Sequence, residues 1–259
     1  MLLFGSLISG SSGNATIISD GITTLLTDCG MSGKKLSESL NSIGIPIESI
    51  SGVLVTHEHT DHVKGIGVIA RRYGFKIYAS DGTLSSITDS KINDHQLISI
   101  AADKDFEIGT IGIKPFSIPH DAADPLGFSY FADDKKISLA TDIGEVSNYI
   151  YDNIKGSSTV LLESNHDVEM LRCGSYPYLI KKIILSDHGH LSNESAAKTA
   201  VKLVESGTEH LLLGHLSIEN NMPDIAYMTT INALKESSAD EANIDLKIAD
   251  RYNPTIIRI

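Results

Sequence analysis

The 259-residue chain carries 33 acidic against 21 basic side chains, a formal net charge of −12, and 41% hydrophobic residues. That length buries an ample core as one large domain or two fused halves, and no stretch approaches the ~18 uninterrupted apolar residues of a membrane span. A nonspecific nucleic-acid binder shows a basic face, so the acidic balance weakens that reading without excluding it, because bound cations cancel acidic charge locally.

The first residues, MLLFGSLISGSSG, have no basic group before the apolar run, and Gly5 and Ser6 break that run. They read as a first strand rather than a signal peptide, which places the protein in the cytoplasm. Strand-like runs LLFGSLI, ATIIS and TTLLTD lead to a helical stretch, SGKKLSESLNSIG. The β-branched run VLVT (53–56) opens a histidine-rich loop. From about Asp61 the spacing of Val63, Ile66, Ile69, Ala70 and Tyr73 predicts one helix ending at Arg71, Arg72 and Gly74. Strands KIYAS, LISI, DFEIG, IGIKPFSI, GFSYFAD and KISLAT follow. The remainder alternates: helix EVSNYIYDNI, strand TVLLES, helix HDVEMLRCG, helix SNESAAKTAVKLVESG with Ser192 as N-cap, strand HLLLGHL, helix MPDIAYMTTINALKESS, and strands IDLKIAD and TIIRI. Many strands followed by helix–strand alternation, with no linker or repeat, suit an α/β (α+β) chain built as a four-layer αββα sandwich, one domain over 1–259. Cys29 and Cys173 form no CxxC pair and read as reduced, partly buried thiols.

The chemistry concentrates in THEHTDH. In an extended loop, His57, His59 and Asp61 project to one side with a period of two, and His62 joins Asp61 on a second ion. Zinc takes imidazole and carboxylate ligands at roughly 2.0–2.2 Å. A lone histidine is more often a packing residue than a ligand, but three within six positions beside an aspartate are hard to bury without partners. His120 in IPHD, Asp142 in ATDIG and His215 in LGHLS each follow an apolar strand, where loops gather into sites. Together they complete two ions: His57, His59 and His120 on one, Asp61, His62 and His215 on the other, with Asp142 between. All seven ligands are nitrogen or oxygen, which suits zinc and permits manganese or iron.

THEHTDH, with PHD, ATDIG and GHLS in this order, resembles the dinuclear hydrolases of the metallo-β-lactamase superfamily. GSLISGSSGNATII, LLTDCG, LLESNHD and SDHGHLSNES narrow the resemblance to the YycJ/WalJ group of bacterial metallohydrolases. The resemblance covers essentially the whole chain. It implies a phosphodiesterase acting on DNA from the 5′ end, with a metal-bridging hydroxide as nucleophile and Asp61 both ligand and orienter. His190 is the candidate for contacting the phosphate or protonating the leaving oxygen; a histidine capping the following helix region is the alternative of equal weight. Ser12 and Asn14 in the SGSSGN loop, and Asn165 and His166 in ESNHD, are candidate substrate contacts, although short Ser/Gly loops are usually only turns. Asp28 is expected to brace the metal loop. Glyoxalase II-type thioesterases share the ligand set, and a metal-holding regulatory module is the rival from another class. Arg71, Arg72, Arg172 and Lys181 are the basic residues that could hold a polyanion.

Overall fold

The computed structural model describes residues 2–87, 92–237 and 244–259. The chain divides into two compact units, each drawn from separated stretches: Met1–Ser117, Ala122–Asp134 and Asp250–Ile259 form the first, Ile118–Asp121 and Lys135–Ala249 the second.

In the first unit, strands β1 (Leu3–Ile8), β2 (Ala15–Ser19), β3 (Thr24–Thr27), β4 (Ile50–Leu54), β5 (Ile77–Ala79), β6 (Leu97–Ser99) and β14 (Thr255–Arg258) form one sheet in the order β14-β1-β2-β3-β4-β5-β6. Pairing is antiparallel as far as β3 and parallel from β3 to β6. Helices α1 (Gly33–Ser42) and α3 (Ile66–Tyr73) bury Leu36, Leu40, Ile66 and Ile69 in the cluster that also holds Ile17, Leu26, Val53 and Ile77. Removing such side chains from water is the main stabilising term. Ser32 caps α1 by accepting from the Lys35 N–H, and Gly74 ends α3 with φ 76°. An antiparallel set, β7 (Phe106–Ile108), β8 (Ile111–Ser117) and β9 (Leu126–Ala132), completes this unit.

The single helix expected from Asp61 is two: α2 (Thr60–Val63) and α3. The break has a steric cause. The Gly65 N–H donates to the Cys29 carbonyl at 2.8 Å, and a Cβ at Gly65 would lie 2.1 Å from the Met31 carbonyl oxygen. The chain can approach that closely only as glycine. Helix α4 (Asp81–Ser86) was not legible as a helix.

In the second unit, β10 (Lys135–Ala140), β11 (Thr159–Glu163), β12 (His210–Gly214) and β13 (Asp245–Ile248) are all parallel, in the order β13-β12-β11-β10. Continuous apolar runs such as VLL and LLL fit strands buried on both faces. Helices α5 (Asn148–Ile154), α6 (Val168–Cys173), α7 (Tyr178–Ile184), α8 (Asn193–Glu205) and α9 (Pro223–Ser237) connect them, and Ser192 caps α8 as expected. The last position expected of the α9 helix, 238, lies outside the described residues. Helix α7 buries no residue, and its apolar side chains Leu179, Ile180 and Ile183 are exposed. Parallel register has a consequence for function. Thr27 pairs with Leu54, and Glu163 with Gly214, so the carboxyl ends of neighbouring strands are level and their following residues meet.

Cys29 is buried and Cys173 exposed, which corrects the expectation that both are partly buried. Burial pushes the Cys29 thiol up to about 12. Iodoacetamide should therefore label Cys173 and spare Cys29 in the native protein, as read by peptide mass spectrometry. A Cβ at Gly30 would sit 1.8 Å from the Asp61 carbonyl oxygen and 2.5 Å from the Asn14 nitrogen. Gly30→Ala should lower stability by roughly 1–3 kcal/mol in urea denaturation; an unchanged midpoint would show that the three segments are not wedged together.

Candidate metal centre

The first set of ligand-type side chains grows from the ends of β3 and β4. Asp28 follows β3 with a left-handed backbone, φ 62°, and is 3% exposed. Its Oδ1 accepts the Thr56 N–H at 2.8 Å and its Oδ2 the Thr56 hydroxyl at 2.9 Å. The same Oδ2 accepts His62 Nδ1–H at 2.8 Å. Because Thr56 gives its one hydroxyl proton to Asp28, its oxygen accepts from His57 Nδ1–H at 3.0 Å. One buried carboxylate thus sets two imidazole tautomers, leaving both Nε2 atoms with a lone pair. The three rings lie close but not stacked: the His57 centroid is 4.6 Å from that of His59, edge to face, and 4.1 Å from that of His62, tilted.

The backbone is extended through His59 (φ −59°, ψ 145°) and then turns helical, so Asp61 and His62 lie on α2. This corrects the expected extended loop with a period of two through Asp61. Asn14 Nδ2 donates to His62 Nε2 at 3.0 Å and to Asp61 Oδ2 at 3.4 Å. This side chain, a candidate substrate contact, is seated on two candidate ligands. His62 Nε2 and Asp61 Oδ2 lie 3.6 Å apart, close enough to face one divalent cation.

The second set stands at the carboxyl ends of β10, β11 and β12. Asp142, Glu163, His190 and His215 bring potential ligand atoms within 4.8 Å of one another. Glu163, not foreseen as a site residue, is their hub. Its Oε1 accepts His190 Nδ1–H at 2.8 Å and His215 Nδ1–H at 2.7 Å. Its Oε2 accepts the backbone N–H groups of Ile143, at 2.8 Å, and Leu191, at 3.3 Å. One carboxylate therefore grips the loops that carry Asp142, His190 and His215. Burial alone pushes the Glu163 carboxyl up, but the His190 charge and the two imidazole bonds outweigh it and hold the group below the usual carboxylate range. For His190, burial works against protonation and Glu163 beside it more than compensates, so its pKa is raised. Asp142 Oδ1 lies 3.4 Å from His215 Nδ1 and 3.8 Å from His120 Nε2, and the His120 and His190 rings are 5.3 Å apart. Asp142 and His215 hold left-handed backbones, φ 59° and 57°. Such conformations cost of order 1–3 kcal/mol and persist where the surroundings impose them.

Imidazoles with committed Nδ1 atoms, together with carboxylates, are the donor chemistry that fits a divalent cation. Asn165 is buried, and its amide donates to the His215 carbonyl at 2.8 Å. His166 is 1% exposed. Both are buried, and Asn165, which also accepts the Ser217 N–H through its carbonyl at 2.8 Å, braces the His215 loop. Asn193 and Asn221, also unforeseen, tie Ser164 and Asn165 to the start of α8. Ser12 is exposed, as a substrate contact requires. Among the described residues, no helix is long and apolar enough to cross a membrane.

Comparison with known proteins agrees with this geometry. The beta-lactamase superfamily domain matches residues 23–216. The exodeoxyribonuclease YycJ of Bacillus anthracis is 40% identical over 243 residues, 91% of this chain and 90% of that protein. The exodeoxyribonuclease WalJ of Streptococcus pneumoniae serotype 2 is 39% identical over 251 residues, 95% of this chain and 93% of that protein. The crystal structure of the metallo-beta-lactamase fold protein YhfI from Bacillus subtilis aligns over 100% of both chains with TM-score 0.68 at 18% identity, which bears out the αββα fold class. With its histidine–aspartate clusters at strand ends and that family matched over most of its length, the chain belongs to the metallo-β-lactamase superfamily of metal-dependent hydrolases.

Proposed function

We propose that the chain, as one cytoplasmic hydrolase domain over 1–259, is a dinuclear metal-dependent phosphodiesterase that shortens DNA from its 5′ end. His57, His59, Asp61, His62, His120, Asp142 and His215 would hold two divalent cations. Their nitrogen and oxygen donors suit zinc first and also accommodate manganese or iron. The observation that carries the reading is the pair of buried carboxylates, Asp28 and Glu163, which fix the Nδ1 atoms of His57, His62 and His215 and so leave the Nε2 lone pair of each for a cation. The substrate class rests on the two exodeoxyribonuclease relatives, about 40% identical over nine-tenths of the chain. Divalent cations, when bound, supply water activation and charge neutralisation for phosphate-ester hydrolysis.

The remaining roles belong to the protein's own side chains. Asp28 and Thr56 prevent the metal-loop imidazoles from rotating. Asp61 would serve both as a ligand and as the group that orients the attacking water, and it accepts the Asn14 amide at 3.4 Å. His190 has the raised pKa and the partial exposure suited to giving its proton to the leaving oxygen, while Glu163 stabilises the imidazolium.

Purified metal-loaded protein incubated with a 5′-phosphorylated single-stranded oligonucleotide should shorten it stepwise. Asp61→Ala should slow shortening by at least roughly 100-fold, because it removes charge stabilisation worth several kcal/mol. No shortening by the metal-loaded wild type would falsify the nuclease reading. Glu163→Gln keeps the shape but removes the charge that orients His190 and His215, so zinc affinity measured by calorimetry should fall about 10–100-fold. Unaltered affinity in a folded variant would mean that Glu163 does not organise the centre.

A further inference from the structure

The first unit contains a cavity of about 570 Å³ that the proposed chemistry does not use. Its size is within the roughly 300–1,000 Å³ of small-ligand sites. Lys35, Lys64, Arg251, Tyr252 and Ser12 line it, together with one carboxylate, Glu38, which lies 3.8 Å from Lys34. In a chain of net charge −12, three cations converging on one concavity against a single acid is a local reversal of sign.

The cavity is tied to the metal loop through the backbone. Gly30, in its wall, donates to the Asn14 carbonyl at 2.8 Å, and Asn14 N–H donates to the Asp61 carbonyl at 2.8 Å. Lys64 is the C-cap of the same short helix that carries Asp61 and His62. Three residues of helix separate Lys64 from Asp61, a rise of about 4.5 Å. On the far side, Asp250 Oδ1 accepts the N–H groups of Tyr252 and Asn253, both at 2.8 Å, and its carbonyl accepts the Ser9 N–H at 3.2 Å. The Arg251–Tyr252 corner is thereby held against the start of the SGSSGN loop. Tyr252, 66% exposed, offers an aromatic face beside the cations, the combination on which single-stranded nucleic acid is held.

We propose that this cavity binds the phosphodiester backbone of the single DNA strand next to the scissile nucleotide, with Lys35, Lys64 and Arg251 contacting phosphates and Tyr252 stacking on a base. The inference rests on the nuclease reading above and names how that site holds its substrate.

The test is fluorescence anisotropy of a labelled ten-nucleotide DNA with hydrolysis-resistant phosphorothioate linkages, titrated with metal-loaded protein over a range of salt. The paired variant Lys35→Ala, Arg251→Ala should bind about tenfold more weakly. Its log Kd against log salt should be shallower by roughly 1.4, from about 0.7 per phosphate contact on a single strand. The charge-preserving pair Lys35→Arg, Arg251→Lys should keep the wild-type slope, which separates lost charge from lost folding. Equal affinity and slope in the alanine pair would overturn the cavity while leaving the nuclease reading intact, and so would a wild type that binds no DNA yet degrades it. Slope-sensitive binding without any degradation of ordinary DNA would uphold the cavity and remove the nuclease reading instead.

Discussion

The candidate centre depends on one kind of interaction: a buried carboxylate that accepts Nδ1–H from two imidazoles. Asp28 does this for His62 directly and for His57 through the Thr56 hydroxyl. Glu163 does it for His190 and His215 with a single oxygen. An imidazole has one donor and one acceptor nitrogen when neutral, so committing Nδ1 as donor leaves the lone pair on Nε2, as for His57, His62 and His215; the raised pKa of His190 sets it apart. Without such a partner either tautomer is accessible and the ring can turn. The geometry of the ligands is therefore set by residues that are not ligands, and these lie at 3% and 0% exposure, where a hydrogen bond to a charge is strongest.

The carboxylates can occupy those positions because of strand register. Parallel neighbours end level, and the residue after each end faces its counterpart on the adjoining strand. The first unit uses the β3–β4 pair in this way and the second uses β10, β11 and β12. The turns leaving those strands are left-handed at Asp28, Asp142 and His215, although none is glycine. Aspartate and histidine tolerate this region better than most residues, and hydrogen bonds to the side chains help to offset the strain. The same backbone torsion redirects each side chain across the strand end rather than above or below the sheet.

Much of this was legible in the sequence. The apolar runs marked the strands because parallel and doubly covered strands are continuously hydrophobic, and THEHTDH marked the metal loop because so many imidazoles cannot be buried idly. Three things were not legible. Helix α7 presents Tyr178, Leu179 and Ile180 to solvent, an exposure that apolar side chains do not announce. Gly65 broke the expected helix through a close approach to Met31 and Cys29, residues more than 30 positions away in the chain. Glu163 ended an apolar strand as one acid among 33, and nothing local distinguishes an acid that will receive four hydrogen bonds from one that will face water. Conversely, Asn165 and His166 drew attention as exposed-looking polar residues two and three places further on, yet they are buried.

Asn14 shows how a loop can be both scaffold and contact. Its Oδ1 accepts the Gly10 N–H at 2.9 Å, which closes the SGSSGN loop on itself. Its Nδ2 meanwhile reaches the acceptor side of His62 and Asp61. The backbone adds two further ties, Asn14 N–H to the Asp61 carbonyl and Gly30 N–H to the Asn14 carbonyl, both at 2.8 Å. Side chain and backbone thus hold the loop to α2 independently, and the loss of either set leaves the other in place.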